Sequence, residues 1–158
     1  VAAHHTGTGE LMAADGTSGQ LREIVVGISE APTSQVAARR AVELAALTGA
    51  RVHFVTAVER VTQERVGVAT DVFVFDSLEL GRESVEKFVR SIDADIEYTV
   101  TAVEGPPARV LLEVAEQVKA DLIVVGNVRM QGLGRVLGSV GNEVLRSAPC
   151  SVLIVKTV

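Results

Sequence analysis

The chain has few aromatic residues and one cysteine, and both shortages narrow its fold class. Only 3% of its 158 residues are aromatic, with no Trp and one Tyr, so a core has to be built from Val, Leu, Ile and Ala. Aliphatic cores of this kind suit parallel sheets that are buried on both faces. The single Cys150 cannot form an internal disulfide, which favours a reducing compartment and hence the cytoplasm.

An excess of positive charge and a long apolar run are also absent. The formal net charge is −5, which argues against nucleic acid as a partner because phosphate backbones require a basic face. No apolar run approaches the length of about eighteen residues that spans a bilayer, and no leader pattern opens the chain, so we expect no membrane association. The 47% hydrophobic content suits one domain with a full core.

The first residues show no hydrophobic periodicity. We therefore predict that residues 1–21 are a flexible tail or a remnant of expression, and that residues 22–158 form one domain. His4 and His5 are adjacent there, but no second pair of metal ligands accompanies them, so we expect no metal site.

From Glu23 onwards, β-branched runs alternate with stretches of helical spacing. Gly49 and Pro149 mark the ends of two helices, Asp76 with Glu79 forms a capping-box pattern, and Gly105-Pro106-Pro107 begins another helix. The predicted strands are residues 24–26, 52–58, 95–103, 122–125 and 152–155. This order predicts an α/β fold with a five-stranded, parallel, doubly wound sheet and helices on both faces.

This pattern does not assign a single structure to residues 59–75, and it does not by itself give a role to His53. Residues 59–75 combine charges with an apolar segment at 72–75, which fits a short strand, a flap over a site or a contact surface. His53 lies within the second strand, and we expect it to face the surface because no neighbouring nucleophile or ligand set supports a catalytic role.

A glycine-rich segment follows the fourth predicted strand. Residues 126–141 read GNVRMQGLGRVLGSVG and hold five glycines, two arginines and no acid. A helix that begins near Ser139 would direct unpaired backbone N–H groups towards an anion, with Arg129 and Arg135 adding positive charge. The segment matches neither GxGxxG nor GxxxxGK[ST], and its composition fits a loop without a ligand equally well.

The position of the segment in the predicted sheet favours a binding site. In doubly wound sheets the ligand lies beyond the carboxyl ends of the strands, where the strand order reverses. The turn after Val26 and the loop after Val125 both lie at carboxyl ends, so we expect them to face one site.

Several motifs together resemble the universal stress protein family. These are IVVG at the first strand, VEGPP before the third helix, DLIVVGN at the fourth strand and GLGRVLGSVGNEVLRSAPCSVLIVK at the carboxyl end. The resemblance covers residues 22–156. It implies the adenine nucleotide alpha hydrolase-like fold and a homodimer that binds ATP or, in some bacterial members, cyclic AMP.

The resemblance also assigns site residues, with two departures from the family pattern. Arg129 stands where the family motif has its second glycine, and Ser29 stands where nucleotide-binding members have an aspartate. Ala57 falls where a small apolar residue lines the adenine pocket. The predicted cofactor-binding residues are Gly27, Ser29, Ala57, Gly126, Asn127, Arg129, Arg135, Gly138, Ser139 and Val140.

Our leading hypothesis is a stress-response protein that binds ATP, cyclic AMP or another phosphorylated ligand weakly, as a sensor and not as an enzyme. The alternative is a nucleotide-free homodimeric interaction module that uses residues 72–75. Catalysis is the least favoured function, because no carboxylate pair, lysine or metal-ligand cluster accompanies the loop.

Overall fold

The structure, a computed structural model, describes residues 19–58, 63–68, 71–129 and 135–157. For the short strands within residues 63–75, 128–129 and 135–136, the backbone alone is described. The elements follow one another along the chain as β1 Glu23–Gly27, α1 Pro32–Thr48, β2 Arg51–Val58, β3 Gln63–Val68, β4 Asp71–Asp76, α2 Ser77–Ile92, β5 Tyr98–Glu104, α3 Pro107–Val118, β6 Leu122–Gly126, β7 Val128–Arg129, β8 Arg135–Val136, α4 Ser139–Ser147 and β9 Ser151–Val155.

The predicted five-stranded parallel sheet is confirmed. Its strand order is β5-β2-β1-β6-β9, and every pairing within it is parallel. The chain builds outward from β1 in one direction through β2 and β5, and in the other through β6 and β9. The strand order therefore reverses between β1 and β6, which is the place where such sheets bind ligands.

Each face of the sheet carries its own aliphatic core. On one face, α1 and α2 cover Ile24, Val26 and Phe54, and on the other, α3 and α4 cover Val25, Val55 and Ile123. α1 packs closely because its buried face is nearly all alanine. The side chain of Leu21 packs against the core beneath α1 and α2. The folded part of the chain therefore includes at least one residue of the predicted tail.

The helix ends follow the predicted signals with one correction. Gly49 ends α1 in the left-handed conformation at φ 74°, and its N–H donates to the Ala45 carbonyl at 2.8 Å. Asp76 caps α2 by accepting from the Leu78 N–H at 2.9 Å. The capping box is not completed, because Glu79 pairs with Arg82 in the same helix instead of reaching back to residue 76.

Two antiparallel pairs of strands lie outside the main sheet, and the predicted fold includes neither pair. β3 and β4 form a hairpin in which Arg65 is opposite Val74, so the strand interpretation of residues 59–75 is confirmed. The flap and contact-surface interpretations concern side chains outside the described part. β7 and β8 form a short ribbon inside the glycine-rich segment, with Arg129 opposite Arg135. The third predicted strand, at 95–103, begins later, at Tyr98.

His53 is buried, so the prediction that it faces the surface is wrong. It is 7% exposed, because β2 lies between β1 and β5 in the sheet. Its Nε2 atom lies 2.6 Å from Glu23 Oε2 and its Nδ1 atom 2.8 Å from Thr99 Oγ1. A buried imidazole is tolerated when both ring nitrogens have partners, as they have here.

Candidate functional site

A cavity of about 470 Å³ opens at the carboxyl edge of the sheet, on the face covered by α3 and α4. It lies where the strand order reverses, and the ends of β1, β2 and β6 contribute to its wall. The turn after β1 and the segment after β6 therefore meet at one cavity. Its lining residues are Gly27, Ile28, Ser29, Ala31, Thr33, Ser34, Val55, Ala57, Pro107, Leu111, Val125, Gly126, Gly138, Ser139, Val140 and Gly141.

One part of the cavity wall is apolar. Val55 and Ala57 come from β2, Val125 comes from β6, and Leu111 comes from α3. These side chains belong to or pack against the core on this face, so their positions are fixed by the same packing that holds the sheet to its helices. A flat apolar group such as a purine ring fits a wall of this kind.

The opposite part of the wall is formed by the start of α4. The helix begins at Ser139 after the N-cap Gly138, which has no side chain to cap the first turn. The N–H groups of Ser139, Val140 and Gly141 belong to that first turn, and helix N-termini leave such groups without an intrahelical acceptor. Together with the positive end of the helix dipole, they form a donor set suited to an anion.

Two further helices start at the cavity, and neither has a side-chain cap. Ala31 precedes α1 and Pro106 precedes α3, and both helices carry proline in their first turn. Proline has no N–H group, so these two starts offer fewer free donors than α4 does. α2 starts elsewhere and is capped by Asp76. The helix with the largest number of free N–H groups at the cavity is therefore α4.

The turn after β1 satisfies its own polar groups. Ser34 Oγ accepts from the Ser29 N–H at 3.0 Å, and its own hydroxyl lies 2.8 Å from the Ala31 carbonyl and 3.0 Å from that of Ser29. Ser29 Oγ in turn accepts from the Ala31 N–H at 3.2 Å. These bonds hold the turn in a fixed shape beside the cavity, and they engage the hydroxyl of Ser29.

Gly126 is needed for packing. A Cβ atom at this position would lie 2.5 Å from the carbonyl oxygen of Thr33, in the first turn of α1. Gly138 differs, because its φ of −63° and ψ of 170° are open to any residue. The two glycines of the predicted motif therefore serve different purposes. Gly126 permits two backbone segments to approach closely, and Gly138 leaves the start of α4 without a covering side chain.

Seven of the ten predicted site residues line this cavity: Gly27, Ser29, Ala57, Gly126, Gly138, Ser139 and Val140. Asn127 does not. It is 7% exposed, its Oδ1 atom accepts from the Thr157 N–H at 2.8 Å, and the Thr157 hydroxyl donates to it as well. Asn127 thus joins the end of β6 to the residues after β9. The side chains of Arg129 and Arg135 lie outside what the structure describes.

Nine of the sixteen described lining residues are not among the predicted site residues, and three of these nine show why. Leu111 and Pro107 come from α3, and Thr33 comes from α1. The only signal in the sequence is the position of each residue at or near the start of a helix that follows a carboxyl strand end. Which of these starts turn towards one cavity depends on the order of the strands.

A doubly wound parallel domain with a cavity at its reversal point is a class of protein that binds small ligands at the carboxyl edge of its sheet. A family model described as the universal stress protein family matches residues 20–156. The chain therefore belongs to the universal stress protein family.

Relatives and solved structures agree with this assignment. Universal stress protein A homolog 2 of Coxiella burnetii is 31% identical over 139 residues, which cover 85% of this chain and 94% of that protein. A universal stress protein of Methanocaldococcus jannaschii is 40% identical over 80 residues, which span about half of each chain, 49% and 47%. A crystal structure of a universal stress protein in complex with cAMP is 30% identical, with a TM-score of 0.65, and is covered over 99% of its length.

Proposed function

We propose that the cavity binds an adenine nucleotide, ATP or cyclic AMP, or another phosphorylated ligand, weakly and without turning it over. The observation that carries the proposal is the uncapped start of α4 at the cavity wall, opposite the apolar wall of β2, β6 and α3. A nucleotide has the matching halves, a flat base and an anionic phosphate. The relative whose structure was solved with cAMP adds support for this ligand class.

A sensor fits this cavity better than an enzyme. Among the lining residues that the structure describes, none is charged, so none offers a carboxylate to hold Mg²⁺ or to activate water. The described part of the chain also holds no group of three or more His, Cys, Asp or Glu that could bind a metal ion. Binding would then act through the stability and shape of the protein. Mg²⁺-dependent turnover of ATP that disappears in Gly138→Trp would overturn this part of the proposal.

The first test is a thermal-shift series with ATP, ADP, AMP and cyclic AMP. A ligand present at about a hundred times its Kd adds roughly 2.7 kcal/mol of stability. For a domain of this size, we expect Tm to rise by about 5 to 10 °C. No movement with any of the four nucleotides at millimolar concentration would reject useful binding.

Gly138→Trp tests whether the ligand binds at the start of α4. The indole would fill the space in front of the Ser139 and Val140 N–H groups, so we expect the ligand-induced rise in Tm to disappear. Gly19→Trp is the matched control, because nothing lies within 4 Å of a Cβ atom at Gly19. Far-UV circular dichroism of both variants separates a blocked site from a lost fold. A full nucleotide response in Gly138→Trp would place the ligand elsewhere.

The alternative function, a homodimeric interaction module without a nucleotide, is favoured by one observation. β9 is an edge strand whose outer side is unpaired among the described residues, and Ile154 on it is 39% exposed. Exposed apolar edge strands pair with other chains. We expect a homodimer in sedimentation analysis and a monomer for Ile154→Lys. A dimer that forms in this way without any nucleotide response would favour the module over the sensor.

The compartment we propose is the cytoplasm, since Cys150 has no second cysteine with which to form an internal disulfide. Within the described ranges, no helix has the length and apolar character needed to cross a membrane.

A further inference from the structure

A second cavity lies on the other face of the sheet, between α1 and α2. It measures about 200 Å³ and opens to solvent. Ile28 and Thr56 contribute from the ends of β1 and β2, Gln35 from α1, and Gly81 with Ser84 from α2. Pockets for drug-sized ligands begin at about 300 Å³, so this one suits a smaller molecule.

The presence of glycine at position 81 is the first indication that this cavity is kept free of side chains. It lies in the interior of α2, where glycine is a poor helix former. Packing does not require it, because a Cβ atom there would meet Thr56 Cγ2 and Val58 Cγ2 at 3.6 Å, an ordinary contact distance. Its φ is not in the left-handed region. Neither backbone conformation nor crowding explains this glycine, whereas a side chain longer than alanine would enter the cavity.

Thr56 is the second sign. It is only 8% exposed, yet no described residue forms a hydrogen bond with its hydroxyl group. Among the described residues, no fully enclosed side-chain nitrogen or oxygen lacks a partner, so the Thr56 hydroxyl meets solvent in the cavity that it lines. A hydroxyl that meets solvent in a cavity and has no partner among the described residues is a group that a ligand can bind.

The remaining lining residues indicate the class of ligand. Ser84, Thr56 and Gln35 can each both donate and accept hydrogen bonds, whereas the Ser29 hydroxyl is engaged within its own turn. A protonated amine, which only donates, would leave their donors without an acceptor on the ligand. The one charge among the lining residues that the structure describes is the exposed carboxylate of Glu30, which disfavours an anion. Hydroxyl groups on a carbon skeleton match this set, and Leu80 and Phe88 offer apolar contact for the skeleton.

We propose that the cavity between α1 and α2 is a second binding site, for a small uncharged polyol of monosaccharide size or less. The site does not depend on nucleotide binding at the first cavity. Ile28 and Ser29 line both cavities, whereas Thr56, Gly81 and Ser84 line only this one and therefore report on it alone.

The test is a titration of ¹⁵N-labelled protein with D-glucose, followed by the amide shifts of Thr56, Gly81 and Ser84. Chemical shifts are the appropriate measurement, because polyols raise the Tm of many proteins by exclusion from their surface. We expect saturable shifts at these residues in the wild type. Putrescine and inorganic phosphate, titrated in the same way, should produce none.

Two variants sharpen the result. Gly81→Leu should abolish the saturable shifts, because the leucine side chain fills the cavity. Thr56→Val keeps the volume and removes the hydroxyl group, so it should weaken binding about fivefold even if Gly81→Leu fails to fold. Gly138→Trp, which blocks the first cavity, should leave the glucose response unchanged.

The proposal is overturned if glucose produces no saturable shift, if the shifts persist in a folded Gly81→Leu variant, or if only putrescine or phosphate produces them. Because Gly138→Trp is titrated with glucose and nucleotide in parallel, failure at one cavity is distinguishable from failure at the other.

Discussion

The two edges of the sheet differ in how many polar groups remain free. At the amino edge, charged and polar side chains pair with one another. His53 lies between Glu23 and Thr99, Arg51 donates to Glu97 at 2.8 Å, and Asp121 accepts from the N–H groups of residues 22 and 23 at 2.9 and 3.0 Å. At the carboxyl edge, α4 starts without a cap and the described lining of the main cavity has no charge.

This difference shows which polar groups are available to bind a ligand. Polar groups that form hydrogen bonds with one another stabilise the fold, but they have few free donors or acceptors for a ligand. The carboxyl edge keeps free donors because three helices begin there, and helix starts cannot satisfy their own first N–H groups. Substitutions at the amino edge should therefore alter stability alone, whereas those at the carboxyl edge should divide into packing and binding effects.

The largest effect is expected for Gly126→Ala at the carboxyl edge. The new Cβ atom would lie 2.5 Å from the Thr33 carbonyl oxygen, so α1 or the end of β6 has to move. We expect a loss of about 3 kcal/mol of unfolding free energy, measured by urea denaturation. Tm should fall by about 6 to 12 °C.

Gly138→Ala is the matched control at the same edge. Its backbone conformation is open to alanine, so the free energy of unfolding should change by less than about 0.5 kcal/mol. Equal losses for the two variants would show that packing, and not access to a ligand, explains both glycines.

At the amino edge, His53→Phe should cost about 2 kcal/mol of stability. The phenyl ring keeps most of the volume but leaves the half-buried Glu23 carboxylate and the Thr99 hydroxyl without their imidazole partner. Thr99→Val is the control, because it removes one exposed partner only and should cost less than half as much. The nucleotide-induced rise in Tm should persist in both, and its loss in a stable variant would contradict the separation of the two edges.

Gly81→Ala should raise stability by about 0.5 to 1 kcal/mol, since alanine is the better helix former and its Cβ atom has room. Thermal unfolding measures the change. Gly49→Ala is the contrasting control, because the left-handed φ of 74° at Gly49 penalises a side chain and should lower stability by a similar amount. A destabilised Gly81→Ala would mean that helix packing requires this glycine after all.

The smallest effect concerns Cys150, just before β9 at the amino edge. Burial raises the pKa of the Cys150 thiol, and the negative charge of Asp121 raises it further. The folded protein therefore holds this proton to higher pH than the unfolded chain does, so stability from this group is present below the ordinary thiol pKa and declines as pH rises above it.

Alkylation by iodoacetamide measures the same shift, because the thiolate is the reactive form. The midpoint of the rate against pH should lie above that of a free cysteine, and Asp121→Asn should move it part of the way back. An unchanged midpoint in Asp121→Asn would leave burial as the only cause.

Local signals predicted the individual elements well. Gly49 indicates a helix end because glycine accepts the left-handed conformation, and it adopts that conformation in the structure. Asp76 is of a residue type that caps helices, and its side chain accepts from the Leu78 N–H. Both assignments depend on residues a few positions apart, which is the range over which sequence patterns carry information.

The differences between prediction and structure concern pairings of side chains, and two of these pairings join residues that are distant in the chain. His53 is 46 residues from Thr99 and 30 from Glu23, so its burial could not be read from its own strand. Asn127 is held by Thr157, 30 residues away. Glu79 pairs with Arg82 in its own helix, and the capping-box pattern does not take this competing local pair into account.

The alternation of strands and helices, the aliphatic core and the membership of the family can all be read from the sequence, because each depends on local periodicity or on short motifs. Which polar groups of the protein remain free depends on how the elements pack together. The sheet brings the starts of α1, α3 and α4 to one cavity and leaves an open space beside Gly81, because strand order and helix packing depend on contacts between residues far apart in the chain.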